Sequence, residues 1–157
     1  MTNQDIISLA DGLQAVKNLP GIKFAYVVSK NINKVKSEME TFREMTEQSK
    51  SFQEYEKERI ELVELHAKKD DKGKPVIIGN EYDIDNKQAF DAQFEVLKEK
   101  HKEAIDARQK QIDDFNAFLK EESKLELHNM DVNNCPKDIT AGQLSGIYPI
   151  ITGEVKE

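Results

Sequence analysis

Three histidines, one cysteine and several clustered carboxylates are the side chains of this sequence that could carry chemistry. A metal site would need His66, His101 and His128 to converge, since structural and catalytic zinc centres take three or four ligands at about 2.0–2.3 Å. His66 and His101 fall on two different helical segments and His128 lies beyond both, so solvated or seam-polar histidines are expected and no metal site is. Gly73-Lys74 has the look of the end of a phosphate loop. The upstream glycine and the following Ser or Thr are missing, and Pro75 follows, so the pair reads as a turn. Glu81, Asp83 and Asp85 alternate as carboxylates do in calcium loops, but the glycine and terminal Glu of such a loop are absent. Cys135 has Lys137 as its nearest basic neighbour and no local glycine loop, which leaves a nucleophile without a base or an orienting group. Asp113-Asp114 and Glu121-Glu122 share their stretch with Lys110 and Lys120 and read as solvated helix surface. The expectation is a chain with no catalytic residue, no metal and no cofactor.

Charge narrows the partners. The 157 residues carry 30 acidic and 23 basic side chains, a formal net charge of −7. Phosphate backbones reward basic surfaces through counterion release, so neither nucleic acid nor an anionic membrane is an expected partner. Acids and bases interleave along most of the sequence, and the densest acidic surplus falls in 70–85, where five acids face two lysines. The N-terminus lacks a basic region followed by an apolar core, so no secretion signal is expected. A single cysteine cannot form an internal disulfide and suits a reducing compartment, with a bridge between two chains as the alternative.

Long helices must position whatever these side chains do. Residues 2–19 read as a short helix, capped by Thr2 or Asn3 and stopped by Pro20-Gly21, with Ile6, Leu9, Leu13, Val16 and Leu19 on one face. IKFAYVV satisfies both an alternating and a helical pattern; the helix is preferred because the Phe24, Val28, Ile32, Val35 stripe runs on through Phe42 to Val63 without Pro or Gly. Residues 70–85 break that pattern, and Gly79-Asn80 between VII and EYDI predicts a β-hairpin. A second long helix starts near Asn86, with a stutter or polar layer around His101, Ile105 and Arg108.

The predicted fold is mainly α. A head formed by 1–32 and 123–157 carries an arm, 33–122, built as an antiparallel coiled-coil hairpin. Its helices are 33–69 and 86–122, and its β-hairpin tip is 70–85. Equal helices of this length give an arm of roughly 55 Å. From the ends 33 and 122, residue i faces about residue 155 − i, which sets His101 by Glu54 and His66 by Ala89. Leu125 and Leu127 alternate as in an exposed strand, and Thr140 caps a last short helix ending near Pro149. Leu9, Leu13, Phe24, Val28, Leu144, Ile147, Tyr148 and Ile150 are the predicted head core.

The order of LPGIKFAYVVSKNINKVKSEME, then ERIELVELHAKKDDKGKPVI with EYDI, a second long helix and a closing ITAGQLSGIYPII resembles small phage and prophage proteins of unknown function, most like the DUF1617-type group. That resemblance implies a phage origin and carries over no active residue. The architecture of paired long helices with a hairpin opposite the termini is also similar to a prefoldin subunit, a likeness of fold alone. The expected function is that of a non-enzymatic protein-binding module, phage-encoded, acting in the host cytoplasm on a host or phage protein, for instance by inhibiting a defence protein. A virion or assembly component is the alternative, with a prefoldin-like chaperone or scaffold as another; a homo-oligomer fits each. Candidate contacts are Ile77, Ile78 and Tyr82 at the tip, where a two-stranded hairpin has little to pack on, and Tyr148, Ile150 and Ile151 in the head. For the head residues, closing its core is the competing role.

Overall fold

A computed structural model describes residues 1–155 and is mainly helical. In chain order the elements are α1 (Asn3–Val16), α2 (Ile22–Met45), α3 (Lys50–His66), β1 (Ile77–Ile78), β2 (Glu81–Tyr82), α4 (Lys87–Lys100), α5 (Lys102–Phe118), β3 (Met130–Asp131), α6 (Ala141–Gly146) and β4 (Ile151–Thr152). They form two compact units, 1–46 with 114–157, and 47–113, whereas the sequence pattern put the boundaries near 33 and 122.

The first unit holds a true core. Ile6, Leu9, Leu13 and Val16 of α1 meet Phe24, Val28, Val35 and Phe42 of α2, and Met130, Ile147 and Ile150 close the cluster. The i, i+3, i+4 spacing that puts these residues on one face of each helix is visible in the sequence. Leu144 is half-buried and Tyr148 is 71% exposed, so neither belongs to the fully buried set predicted for the head. IKFAYVV is helical, as its longer periodicity required. Thr2 caps α1 in a capping box with Asp5, whose carboxyl the Thr2 backbone N–H and hydroxyl hold below the usual carboxylate range. The first turn of α1 also donates to the end of α5: Asn3 N to Glu121 O at 3.0 Å, Gln4 N to Leu119 O at 2.9 Å, and Asn3 Nδ2 to Phe118 O at 2.9 Å. Unpaired donors of one helix thereby satisfy unpaired carbonyls of another. That is why α5 stops at Phe118 instead of running to 122.

Two features of this unit were not predicted. Residues 124–129 form no regular element where an exposed strand was expected at Leu125 and Leu127; instead Asn31, fully buried on α2, pairs with the backbone of His128. Its Nδ2 donates to His128 O at 2.8 Å and its Oδ1 accepts from His128 N at 2.9 Å, as a neighbouring strand would. Lys34 Nζ donates to Glu126 O one helical turn on. The chain then forms a two-residue parallel ladder, Met130 with Ile151 and Asp131 with Thr152.

Helix 33–69 is not continuous. α2 ends at Met45, where the Thr46 hydroxyl donates back to Phe42 O and Arg43 O, and α3 restarts with the Ser49 hydroxyl accepting from Phe52 N. Hydroxyl side chains that compete for backbone partners interrupt a helix without Pro or Gly. Helix 86–122 is likewise divided at His101, although Ile105 N still donates to His101 O at 3.0 Å.

The second unit contains α3, the β1–β2 hairpin, α4 and most of α5. In the hairpin Ile77 faces Tyr82 and Ile78 faces Glu81. Gly79 alone of its two turn residues has positive φ, 65°, the pattern of a type II′ turn. α3 ends at His66, earlier than the predicted 69, because the chain after it becomes extended and joins the hairpin: Val76 N donates to Lys68 O and Lys68 N to Asp83 O. The tip is thus a three-segment arrangement, further tied by a 2.9 Å Lys68–Asp83 ion pair. α3 and α4 run antiparallel. Tyr55 meets His101, Glu58 meets Lys100 and His66 meets Gln93, so each α3 residue finds its partner up to one helical turn beyond the predicted register.

Candidate functional site

Among the described residues of the second unit only Tyr55, Ala67 and Leu97 are buried apolar side chains. A pair of amphipathic helices has one seam and no third layer, so it leaves its flanks open. On one flank of the α3–α4 seam this produces a groove of about 910 Å³. Leu62, Leu65, Ala92 and Val96 line the end nearer the hairpin, and Leu65 and Val96 are 73% and 71% exposed. Large aliphatic side chains standing together in water at a concave surface mark a contact site more specifically than one exposed leucine would.

The other end of the groove is polar. Glu54, Lys57, Glu58, Glu61 and Lys100 line it. Lys100 Nζ sits 2.8 Å and 2.6 Å from the two Glu58 oxygens, a bidentate contact across the seam. His101 Nε2 lies 3.3 Å from Glu58 Oε2, within ion-pair distance but off the hydrogen-bonding direction. Lys100 first, and then His101, hold the Glu58 carboxyl below the usual range. The polar layer predicted near His101 is therefore present, but its acid is Glu58 and not Glu54, one turn away. The Tyr55 ring lies 5.6 Å from the His101 ring at a tilt of 54°, and burial raises its phenol above the ordinary tyrosine value. Lys57 and Glu61 form a loose pair at 3.9 Å.

No family model, no curated protein and no solved structure matches this chain. The remaining candidate side chains are placed by geometry alone. Among the described residues no three His, Cys, Asp or Glu side chains stand where they could share a metal ion. His66 engages Gln93 at 3.0 Å and the Phe90 ring, while His128 uses its backbone on Asn31. Gly73, at φ 75°, belongs to a turn in which Asp70 Oδ1 accepts from the Lys72 and Lys74 backbones. Asp83 pairs with Lys68 at 2.9 Å. Cys135 is half-buried, and burial with Asp131 nearby raises its thiol, the opposite of what activates a nucleophile.

The proposed contacts divide. Ile77, Ile78 and Tyr82 are exposed at the tip, and Tyr148 is exposed in the first unit. Ile150 is fully buried in the core and so closes the head instead of serving as a surface contact, while Ile151 is half-buried in the ladder to Met130. Sequence reading overlooked the groove itself. Leu65 and Val96 fall beside the main apolar stripe, and that offset was the signal available: a second, narrower stripe on each helix.

Proposed function

We propose that the chain is a non-enzymatic protein-binding module whose partner lies in the α3–α4 groove. The observation that carries this reading is the exposure of Leu65 and Val96 in the lining of one groove, in a unit with so little buried apolar surface. Covering each would contribute about 1.5–3 kcal/mol, enough to favour a protein contact over water. In this reading α3 and α4 form a coiled-coil type arm, and the exposed tip residues Ile77, Ile78 and Tyr82 add to the partner surface. The resemblance of the sequence to phage proteins supports a partner in an infected host, with an accessory protein that occupies a host protein as the favoured role.

The test is affinity purification of the tagged chain from an expressing host, paired with the double variant Leu65→Lys/Val96→Lys. A stoichiometric partner retained by the wild type and lost by the variant is the expected result. A partner retained equally by both would refute the groove as the contact. Recovery of the protein in purified particles at a symmetric copy number would favour the virion alternative instead.

A further inference from the structure

The shape and charge of the groove say what kind of segment fits it, a deduction that rests on the protein-binding reading. We propose that the occupant is a single amphipathic α-helix, aliphatic toward one end and basic toward the other, which completes a three-helix layer with α3 and α4.

The groove runs along α3 from Glu54 to Leu65, a distance of roughly 17 Å, or the length of a helix of about 12 residues. It is lined by eleven residues, whereas a stable face-to-face dimer takes about 20–30 residues a side, so a trough this narrow suits one helix better than a second copy of the chain. Its walls are two antiparallel helices, and the ridge of a third helix fills the space between two such neighbours.

Charge sets the chemistry at the far end. Of the three lining glutamates, Glu58 is already matched by Lys100, and Glu61 is held only by an exposed Lys57 at 3.9 Å. Glu54 has no ion-pair partner among the described residues. A lysine or arginine on the occupant would neutralise Glu54 and compete with Lys57 for Glu61. The positive end of a helix dipole is favoured beside the same acids, so the basic half of the occupant is its N-terminal half. Its C-terminal half then sets aliphatic side chains against Leu62, Leu65 and Val96.

The test uses two labelled, helix-stabilised synthetic peptides of about 14 residues. Both carry two leucines one turn apart in the C-terminal half, and the N-terminal half carries two lysines in one and two glutamates in the other. Fluorescence anisotropy with the full chain should show the lysine peptide binding at least threefold more tightly, with a preference that shrinks in high salt. Glu54→Lys/Glu61→Lys should reverse the preference. Leu65→Lys/Val96→Lys should weaken the lysine peptide at least tenfold while the thermal midpoint stays within about 2 °C of the wild type. Equal binding of both peptides, or binding of neither, overturns the proposal. So does a concentration-dependent dimer in sedimentation that Leu65→Lys/Val96→Lys abolishes, since a second copy would then fill the groove. If the wild type captures a protein that this variant loses, yet neither peptide binds, the protein-binding reading stands and the helical occupant falls.

Discussion

Replacing Gly12 with alanine tests the packing of the first unit at its closest backbone contact. A Cβ on Gly12 of α1 would lie 2.0 Å from the Gly146 carbonyl oxygen of α6, 2.4 Å from its carbon and 2.8 Å from its Cα. All three are backbone atoms, so no side-chain rotation relieves the overlap. Restoring van der Waals distance requires α6 to withdraw by about 1.4 Å, a shift that loosens Ile147, fully buried immediately after it. Overpacking of this sort costs about 1–3 kcal/mol and occasionally more, set against a gain of up to about 1 kcal/mol from alanine's helix propensity. The expected net loss is about 1–2 kcal/mol, or a fall of roughly 2–8 °C in Tm for a chain of this size. Gly142→Ala on the same α6 is the control: nothing lies within 4 Å of its Cβ, and Tm should hold or rise slightly. Calorimetry of the two variants decides the matter. A Gly12→Ala protein as stable as the wild type would refute the close approach of α1 and α6.

The segment around His128, held by Asn31, should be sensitive to that residue. Asn31→Ala strands the His128 N–H and C=O beside a buried helix face, and urea unfolding should show a loss of about 2–3 kcal/mol, with faster hydrogen exchange of the 124–129 amides. Phe42→Ala removes a ring packed edge-on against both Phe115 and Phe118 and should cost about 3–5 kcal/mol by the same measurement. Asp5 and Glu58 both have folded-state pKa values below their ordinary 3.8 and 4.5. Their stabilising contribution is complete above those values and disappears as pH falls through the depressed folded values, so the denaturation midpoint should drop in that acid window, and less steeply in Glu58→Gln. Tyr55 shifts upward, so its contribution is intact below pH 10.0 and is lost as pH rises through the raised folded value; Tyr55→Phe should blunt that alkaline loss.

What could be read from the sequence follows from which interactions leave a periodic trace. The helical assignment of IKFAYVV, the Thr2 and Thr140 caps, the Gly79-Asn80 hairpin and the core positions of α1 and α2 all come from side-chain spacing or turn chemistry within a few residues. The misses come from contacts that such patterns do not encode. Asn31 sits at a core position of α2, and its pairing with a backbone 97 residues away leaves no local mark. The interruption at 46–49 arises from Thr and Ser hydroxyls that are unremarkable in a helix until they capture backbone groups. For Tyr148 and Ile150 the sequence leaves two roles open, core closure and surface contact. The 3-10 turn at Tyr148–Ile150 rotates Ile150 inward and leaves Tyr148 outside.

The groove emerges from the same physics. Helices with a broad apolar face close a core when a third element covers them, as α1 does for α2. In the second unit the main stripe of α3 meets the main stripe of α4, and the offset residues Leu65 and Val96 stay in water. Stability alone would favour polar residues at these two positions, since neither contributes to a core. On the proposed reading, an occupant accounts both for their aliphatic character and for the unmatched Glu54 at the other end of the groove. Leu65→Lys/Val96→Lys should therefore leave Tm unchanged and remove binding, whereas residues retained for folding would lower both together.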